Sequence, residues 1–100
     1  MTRRLQFSGD AERDYRDARW FYEDREAGLG QRLEDAIESK LASLRDNPEL
    51  YSKVRGDIRE PIVSRFPYAI YFKADDDSII VIAVHHMSRD PTVWQRRVTD

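Results

Sequence analysis

Leu5 to Phe7 opens the chain with a short strand-compatible stretch. Ser8 or Asp10 can then cap a helix by accepting hydrogen bonds from its free backbone N–H groups. Ala11, Tyr15, Ala18 and Tyr22 recur at spacings of four, three and four residues. That is one apolar stripe at helical period, and it predicts a helix over about 10–27. Ala27-Gly28-Leu29-Gly30 ends it, because glycine takes the left-handed conformation that helix ends use. Leu29, Leu33, Ile37, Leu41 and Leu44 carry a second stripe, which predicts a helix over 29–46 that stops at Asn47-Pro48. Two amphipathic helices joined by a tight glycine turn predict an antiparallel hairpin. From Ile58 the period changes. Ile62-Val63 and Phe66 read as a strand interrupted by Pro61 and Pro67, and Tyr68 to Lys73 is rich in β-formers. Asp75-Asp76-Asp77-Ser78 is a turn, and Ile79 to Val84 is an apolar run suited to a strand buried on both faces, central in a sheet over 79–86. The order β-α-α-β-β-β predicts an α+β fold: an N-terminal strand and a two-helix hairpin packed on an antiparallel β-sheet. Pro91 to Val98 reads as a short terminal helix or an extended tail.

The chain has 100 residues, enough for a single domain over 1–100 and too few for a two-domain enzyme. It has no cysteine, which excludes disulfides, thiolate zinc sites, iron–sulfur clusters and cysteine nucleophiles. No cofactor and no metal site are expected. The longest apolar run is far shorter than the roughly 20 residues that span a bilayer. The first residues carry no signal-peptide core, so a soluble cytoplasmic protein without membrane partners is expected.

The net charge of −2 argues against a general nucleic-acid coat protein, but it hides an asymmetry. Residues 8–50 hold 7 Lys/Arg against 12 Asp/Glu. The stretches 53–73 and 85–97 are together basic, through Lys53, Arg55, Arg59, Arg65, Lys73, Arg89, Arg96 and Arg97. A localised positive face is the expectation.

Several pieces then fall in one order: Ala11 to Tyr22 as Ala-x3-Tyr-x2-Ala-x2-Phe-Tyr, Gly28-Leu29-Gly30, Asn47-Pro48-Glu49-Leu50-Tyr51, Ile58-Arg59, Arg65 to Tyr71, Ile82 to His86, and Arg89-Asp90-Pro91-x2-Trp94-x2-Arg97. In this ordered set, covering nearly the whole chain, the sequence resembles the toxins of the RelE/ParE superfamily. The resemblance implies the toxic half of a type II toxin–antitoxin module, a growth inhibitor of the kind linked to plasmid stabilisation. It implies direct neutralisation by a cognate antitoxin, ParD-like and of the ribbon-helix-helix class, in an oligomeric complex. It also implies one of two targets. ParE-like members poison DNA gyrase, whereas RelE-like members are ribosome-dependent mRNA endonucleases. A third possibility is a degenerate member that only binds its antitoxin.

Metal-independent RNA cleavage needs a base for the 2′-hydroxyl, an acid for the leaving oxygen and cations for the phosphorane. Candidates for such a site are Arg59, Arg65, His86 and Arg89. His85 and His86 are adjacent on a strand, so they point to opposite faces. At most one of them serves a given substrate, and the other lies on the helix-covered face or its rim in a structural role. The same basic set, Arg59, Arg65, Arg89 and Arg97 with Trp94, equally suits a target-binding edge. Two absences favour the ParE side. The nuclease branch often carries a lysine pair or basic cluster around the second helix and following loop, and a tyrosine or histidine near the C-terminus. Here the loop offers Lys53 and Arg55, and Arg97-Val98-Thr99-Asp100 holds neither aromatic. Trp94 alternatively anchors the tail on the sheet. Trp20 lies about 180° around its helix from Ala11, on the polar side, and makes a candidate antitoxin anchor together with Phe21 and Arg65. Phe21 also sits at the stripe edge, where it can join the core.

Overall fold

A computed structural model describes residues 3–98. Residues 1–2 and 99–100 of the expected domain, and with them the start of the chain and Thr99-Asp100, lie outside the described residues. Strand β1 (Arg4–Phe7) leads into helices α1 (Gly9–Arg25) and α2 (Leu29–Asp46). Strands β2 (Lys53–Arg55), β3 (Ile58–Arg59), β4 (Tyr68–Ala74) and β5 (Ser78–His86) follow, and a short helix α3 (Thr92–Gln95) runs into a terminal 3-10 turn.

The five strands form one sheet in the order β1-β5-β4-β3-β2. Four of them are antiparallel in sequence, as expected. β1 instead runs parallel to β5, so the sheet is mixed. Strand direction here is set by where the intervening elements return the chain, which no residue pattern in β1 encodes. β2 is also an addition to the expected elements: its three residues are all exposed, so they carry no alternation to detect. The segment Ile62 to Phe66 is not a continuous strand. Ile62 makes an isolated bridge to Ala69, and the flanking Pro61 and Pro67 have no N–H to extend a ladder.

Ser8 is the α1 cap, its Oγ accepting from Ala11 N at 3.0 Å. The hairpin turn relies on Gly28, whose φ of 90° is left-handed. Glu23 closes the turn: its two carboxylate oxygens accept from Gly28 N and Gly30 N, each at 3.0 Å. These bonds, the Gly28 one foremost, hold its carboxyl below the usual carboxylate range. Gly30 sits where the helices touch. A Cβ there would meet Arg19 O at 2.7 Å and Glu23 Cβ at 2.9 Å. Gly30→Ala is therefore expected to cost about 1–2 kcal/mol net, overpacking outweighing the gain in helix propensity. Thermal melts followed by circular dichroism should show the midpoint lowered by about 5–10 °C. An unchanged midpoint would mean that the hairpin is looser than its geometry indicates.

Leu33, Ile37, Leu41 and Leu44 of α2 and Ala11 and Ala18 of α1 cover one face of the sheet, against Ile70, Phe72, Ile79, Val81 and Val84. The other face is covered by the C-terminal segment: Trp94 packs with Ile58, Ala69, Tyr71, Ile82 and Ala83. A bulge in β5 divides the two sets, because Tyr71 pairs with Ala83 and Phe72 with Val81, leaving Ile82 as the extra residue. Coverage of both faces is why Ile79 to Val84 is almost wholly apolar.

β1 ends at Phe7 opposite Val81, so the edge of β5 is left without a strand beyond that point. Two side chains take the strand's place. Asp14 of α1 accepts from Val84 N at 3.1 Å, and Arg97 Nη1 donates to Ile82 O at 3.0 Å. Arg97 also holds Asp14 itself, Nη1 to Oδ2 at 2.6 Å and Nη2 to Oδ1 at 3.1 Å. Helix, sheet edge and the segment carrying Arg97 are thus joined at one ion pair.

Candidate functional site

Strand alternation sends the two histidines to opposite faces, but the buried one is not on the helix-covered face. His85 points to the face under the C-terminal segment and is buried, its Nε2 3.2 Å from Arg89 O and its ring 6.0 Å from that of Tyr71. His86 is the one on the helix side, half-exposed at the rim. There it lines a cleft of about 250 Å³ between α1 and the sheet, with Ala18 and Phe21 of α1, Tyr68, Val84 and Arg89. Asp14 and Asp17 stand on the helix side of the same cleft.

The turn after β5 builds the cleft mouth. Arg89 N donates to His86 O at 3.0 Å, and Met87 N to Pro67 O at 2.8 Å. Ser88 folds back so that its backbone N–H donates to His86 Nδ1 at 3.1 Å, with its Oγ 2.8 Å from the same nitrogen. A backbone N–H can only donate, so Nδ1 is the accepting nitrogen of this pair. Tyr68 meets the His86 ring edge-on at 5.1 Å. Burial pushes the Tyr68 hydroxyl up to about 12, with a smaller push from Tyr22 and an opposing pull from Arg89, so it stays protonated near neutrality. The cleft therefore sets one cation, the Tyr68 hydroxyl and the His86 ring on the sheet side of an apolar floor, with Asp14 and Asp17 facing them.

The four candidate catalytic residues do not meet. Only His86 and Arg89 share the cleft. Arg59 pairs with Phe72 on β4, four residues along from Tyr68, the partner of His86. At about 3.3 Å per residue that is roughly 13 Å away. Its Nη1 donates to Tyr51 O at 2.5 Å. Arg65 lies on the opposite flank of the helical layer, beside α2. The expected grouping of Arg59 and Arg65 with the end of β5 is thus not what the fold makes.

Two of the candidate target contacts are structural. Trp94 is buried, stacked on Tyr71 with ring centres 3.9 Å apart, which is the anchor role. Tyr71 in turn donates a short hydrogen bond to Glu60, and burial together with that bond raises its hydroxyl pKa. Arg97 is committed to Asp14 and Ile82 O, with Asp10 at 3.8 Å. The candidate anchors on α1 are open: Trp20 is 67% exposed and Phe21 47%. Phe21 therefore does not join the core. Its ring carries the Arg25 guanidinium at 4.0 Å and forms one wall of the cleft.

Sequence reasoning missed Tyr68 and Ser88 at the cleft and Asp14 at the clamp. Ser88 had a local signal, a hydroxyl two residues beyond a strand-end histidine. Asp14 had none, because its partners are 70 and 83 residues away. Among the described residues, no group of three or more His, Asp or Glu side chains is placed to hold a metal ion. Nor is any described helix long and apolar enough to cross a membrane.

The comparisons agree with this fold. The chain is similar in structure to the free state of a double arginine-to-alanine mutant of the E. coli toxin RelE, with a TM-score of 0.72 and 20% identity over 99% of this chain and 100% of that one. It is also similar to a chain of the chromosomal ParDE toxin–antitoxin system of P. aeruginosa, with a TM-score of 0.68 and 14% identity over 85% of this chain and 96% of that one. At such identities these likenesses show the fold. No curated protein matches the chain. The family model that does match describes the ParE toxin of the type II toxin–antitoxin system parDE, and it spans residues 5–91. The chain belongs to that ParE toxin family.

Proposed function

We propose that this toxin inhibits growth in the cytoplasm by binding DNA gyrase, without cleaving RNA, and that a ParD-like ribbon-helix-helix antitoxin neutralises it in an oligomeric complex. Stabilisation of a plasmid carrying both genes would follow from that pairing. The observation that carries the reading is the state of His86. A general base needs a free lone pair within reach of the 2′-hydroxyl. On His86 the Nδ1 lone pair faces the Ser88 backbone N–H and hydroxyl. The neighbouring Tyr68 keeps its proton near neutrality. Arg89 is the one candidate cation beside them, with Arg59 and Arg65 elsewhere, so the charge needed around a phosphorane is thin. What the cleft does well is present a cation and polar groups on the sheet side and the Asp17 carboxylate on the helix side of an apolar floor, which suits a protein partner of mixed charge. Trp20, Phe21 and Arg65 are assigned to the antitoxin, and Arg89 to the target.

The direct test is to add purified toxin to a gyrase supercoiling reaction and, separately, to mRNA undergoing translation. Supercoiling should stop or stall with broken DNA, and the mRNA should stay whole. Fragmented mRNA with normal supercoiling would move the toxin to the endonuclease reading.

A further inference from the structure

We infer that His85 is a positioning residue for Arg89. From the face of the sheet away from the cleft it holds the backbone that aims the Arg89 guanidinium, an inference that rests on the reading of Arg89 as a target contact.

Among the described residues, two hydrogen bonds fix Arg89, and both are made by its backbone. Its N–H donates to His86 O at 3.0 Å. Its carbonyl oxygen lies 3.2 Å from His85 Nε2, and because a carbonyl only accepts, Nε2 is the donor. The first bond runs main chain to main chain, so any residue at position 86 would supply it. The second is made by a side chain, and it is lost with that side chain. The guanidinium lines the cleft with no ion pair among the described residues, so its direction follows its backbone.

The residues on either side of Arg89 are pinned independently. Met87 N donates to Pro67 O at 2.8 Å, and Asp90 Oδ1 accepts from Thr92 N at 2.9 Å. The Arg89–Asp90 peptide lies between these anchors, and the imidazole holds its carbonyl. Without that donor the carbonyl would turn toward water, rotating the peptide and swinging the long side chain beside it. A displacement of about 1 Å separates a preorganised contact from a loose one.

An imidazole is costly where His85 stands. It is 5% exposed, on a face otherwise covered by Ile58, Ala69, Tyr71, Ile82, Ala83 and Trp94. A buried polar ring in such company is unfavourable unless it is hydrogen-bonded, and an aliphatic side chain would fill the place at less cost. The bond to Arg89 O offsets that cost. The surroundings also keep the ring still. Ala69 is its partner across the β4–β5 pair, and the Tyr71 ring stands 6.0 Å away at a steep angle. Tyr71 is itself stacked on Trp94 and hydrogen-bonded to Glu60. A ring with locked neighbours places its bond sharply.

The test measures affinity for gyrase by surface plasmon resonance, and stability by thermal melts, for wild type, His85→Leu, His85→Gln, Arg89→Ala and the double variant His85→Leu/Arg89→Ala. Leucine keeps the bulk and removes the donor, and should weaken binding by about tenfold. Glutamine carries an amide N–H at the reach of Nε2 and should stay within about threefold of wild type. Arg89→Ala should lose about 10–100-fold, the worth of hydrogen bonds to a charged group. In that background His85→Leu should add less than about twofold, because no guanidinium is left to aim. A merely structural histidine would lower the melting point and weaken both backgrounds alike. Full affinity in His85→Leu, or an equal loss with and without Arg89, would overturn the proposal and leave Arg89 a target contact. Full affinity in Arg89→Ala would overturn that contact and the proposal with it. If His85→Leu does not fold, His85→Asn, too short to reach Arg89 O, takes its place with the same expectations. If wild type does not bind gyrase, the gyrase reading fails, and the same proteins compared by growth arrest decide whether His85 and Arg89 are coupled.

Discussion

Arg89→Glu is expected to abolish toxicity in cells, whereas His86→Ala is expected to leave most of it. Arg89 is exposed at the mouth of the cleft, and among the described residues its side chain forms no ion pair. Reversing its charge thus breaks nothing in the fold, but it sets like against like at the target surface. Such juxtaposition costs several kcal/mol, and each 1.4 kcal/mol is a factor of ten in binding. His86 supplies one polar ring edge and part of a wall, so its loss should weaken target binding by about tenfold or less. An endonuclease using His86 for proton transfer would instead lose about 10²–10⁴-fold in rate. Growth assays under an inducible promoter separate the two patterns, provided circular dichroism shows both variants folded. A harmless His86→Ala protein would favour the nuclease reading, and a toxic Arg89→Glu protein would remove the cleft from the target interface.

Asp14→Ala is expected to cost about 3 kcal/mol of stability, the low end of the range for buried pairs, because this pair is part-buried. Asp14 and Arg97 are 12% and 18% exposed, so water replaces the lost partner poorly. The substitution also strips Val84 N of its acceptor and frees the C-terminal segment from α1. Against a total stability of about 5–15 kcal/mol, that is a large share. Urea titration should show a lower midpoint with an unchanged slope. Asp14→Asn keeps an acceptor for Val84 N and should recover part of the loss. Equal stability of Asp14→Ala and wild type would reduce the clamp to an ornament of the surface. Because Arg97 is engaged here, loss of toxicity in an Arg97 variant is expected to follow loss of folding, not of a target contact.

Local chemistry determined the helical hairpin, since each part of it is written within about four residues. The stripes of α1 and α2, the Ser8 cap, the Gly28 turn and the Asn47-Pro48 stop all act through neighbours in sequence. The exposed position of Trp20 follows from the same helical period. Burial of β5 on both faces was legible in its unbroken apolar run, and the anchoring role of Trp94 in its size and isolation. The ordered motifs carried the family.

Tertiary structure decided everything that depends on separated segments. The parallel pairing of β1 with β5 depends on where five intervening elements return the chain. The extra residue Ile82 and the burial of His85 arise from pairing with β4 and from the covering C-terminal segment. The sequence placed Arg59, Arg65 and Arg89 together as charge, and the fold separates them: one beside Tyr51, one beside α2 and one beside His86. Asp14 and Arg97 are each an ordinary surface charge in sequence. They become a clamp only because β1 stops short of β5's full length, leaving an N–H and a C=O at the sheet edge that buried backbone cannot leave unpaired.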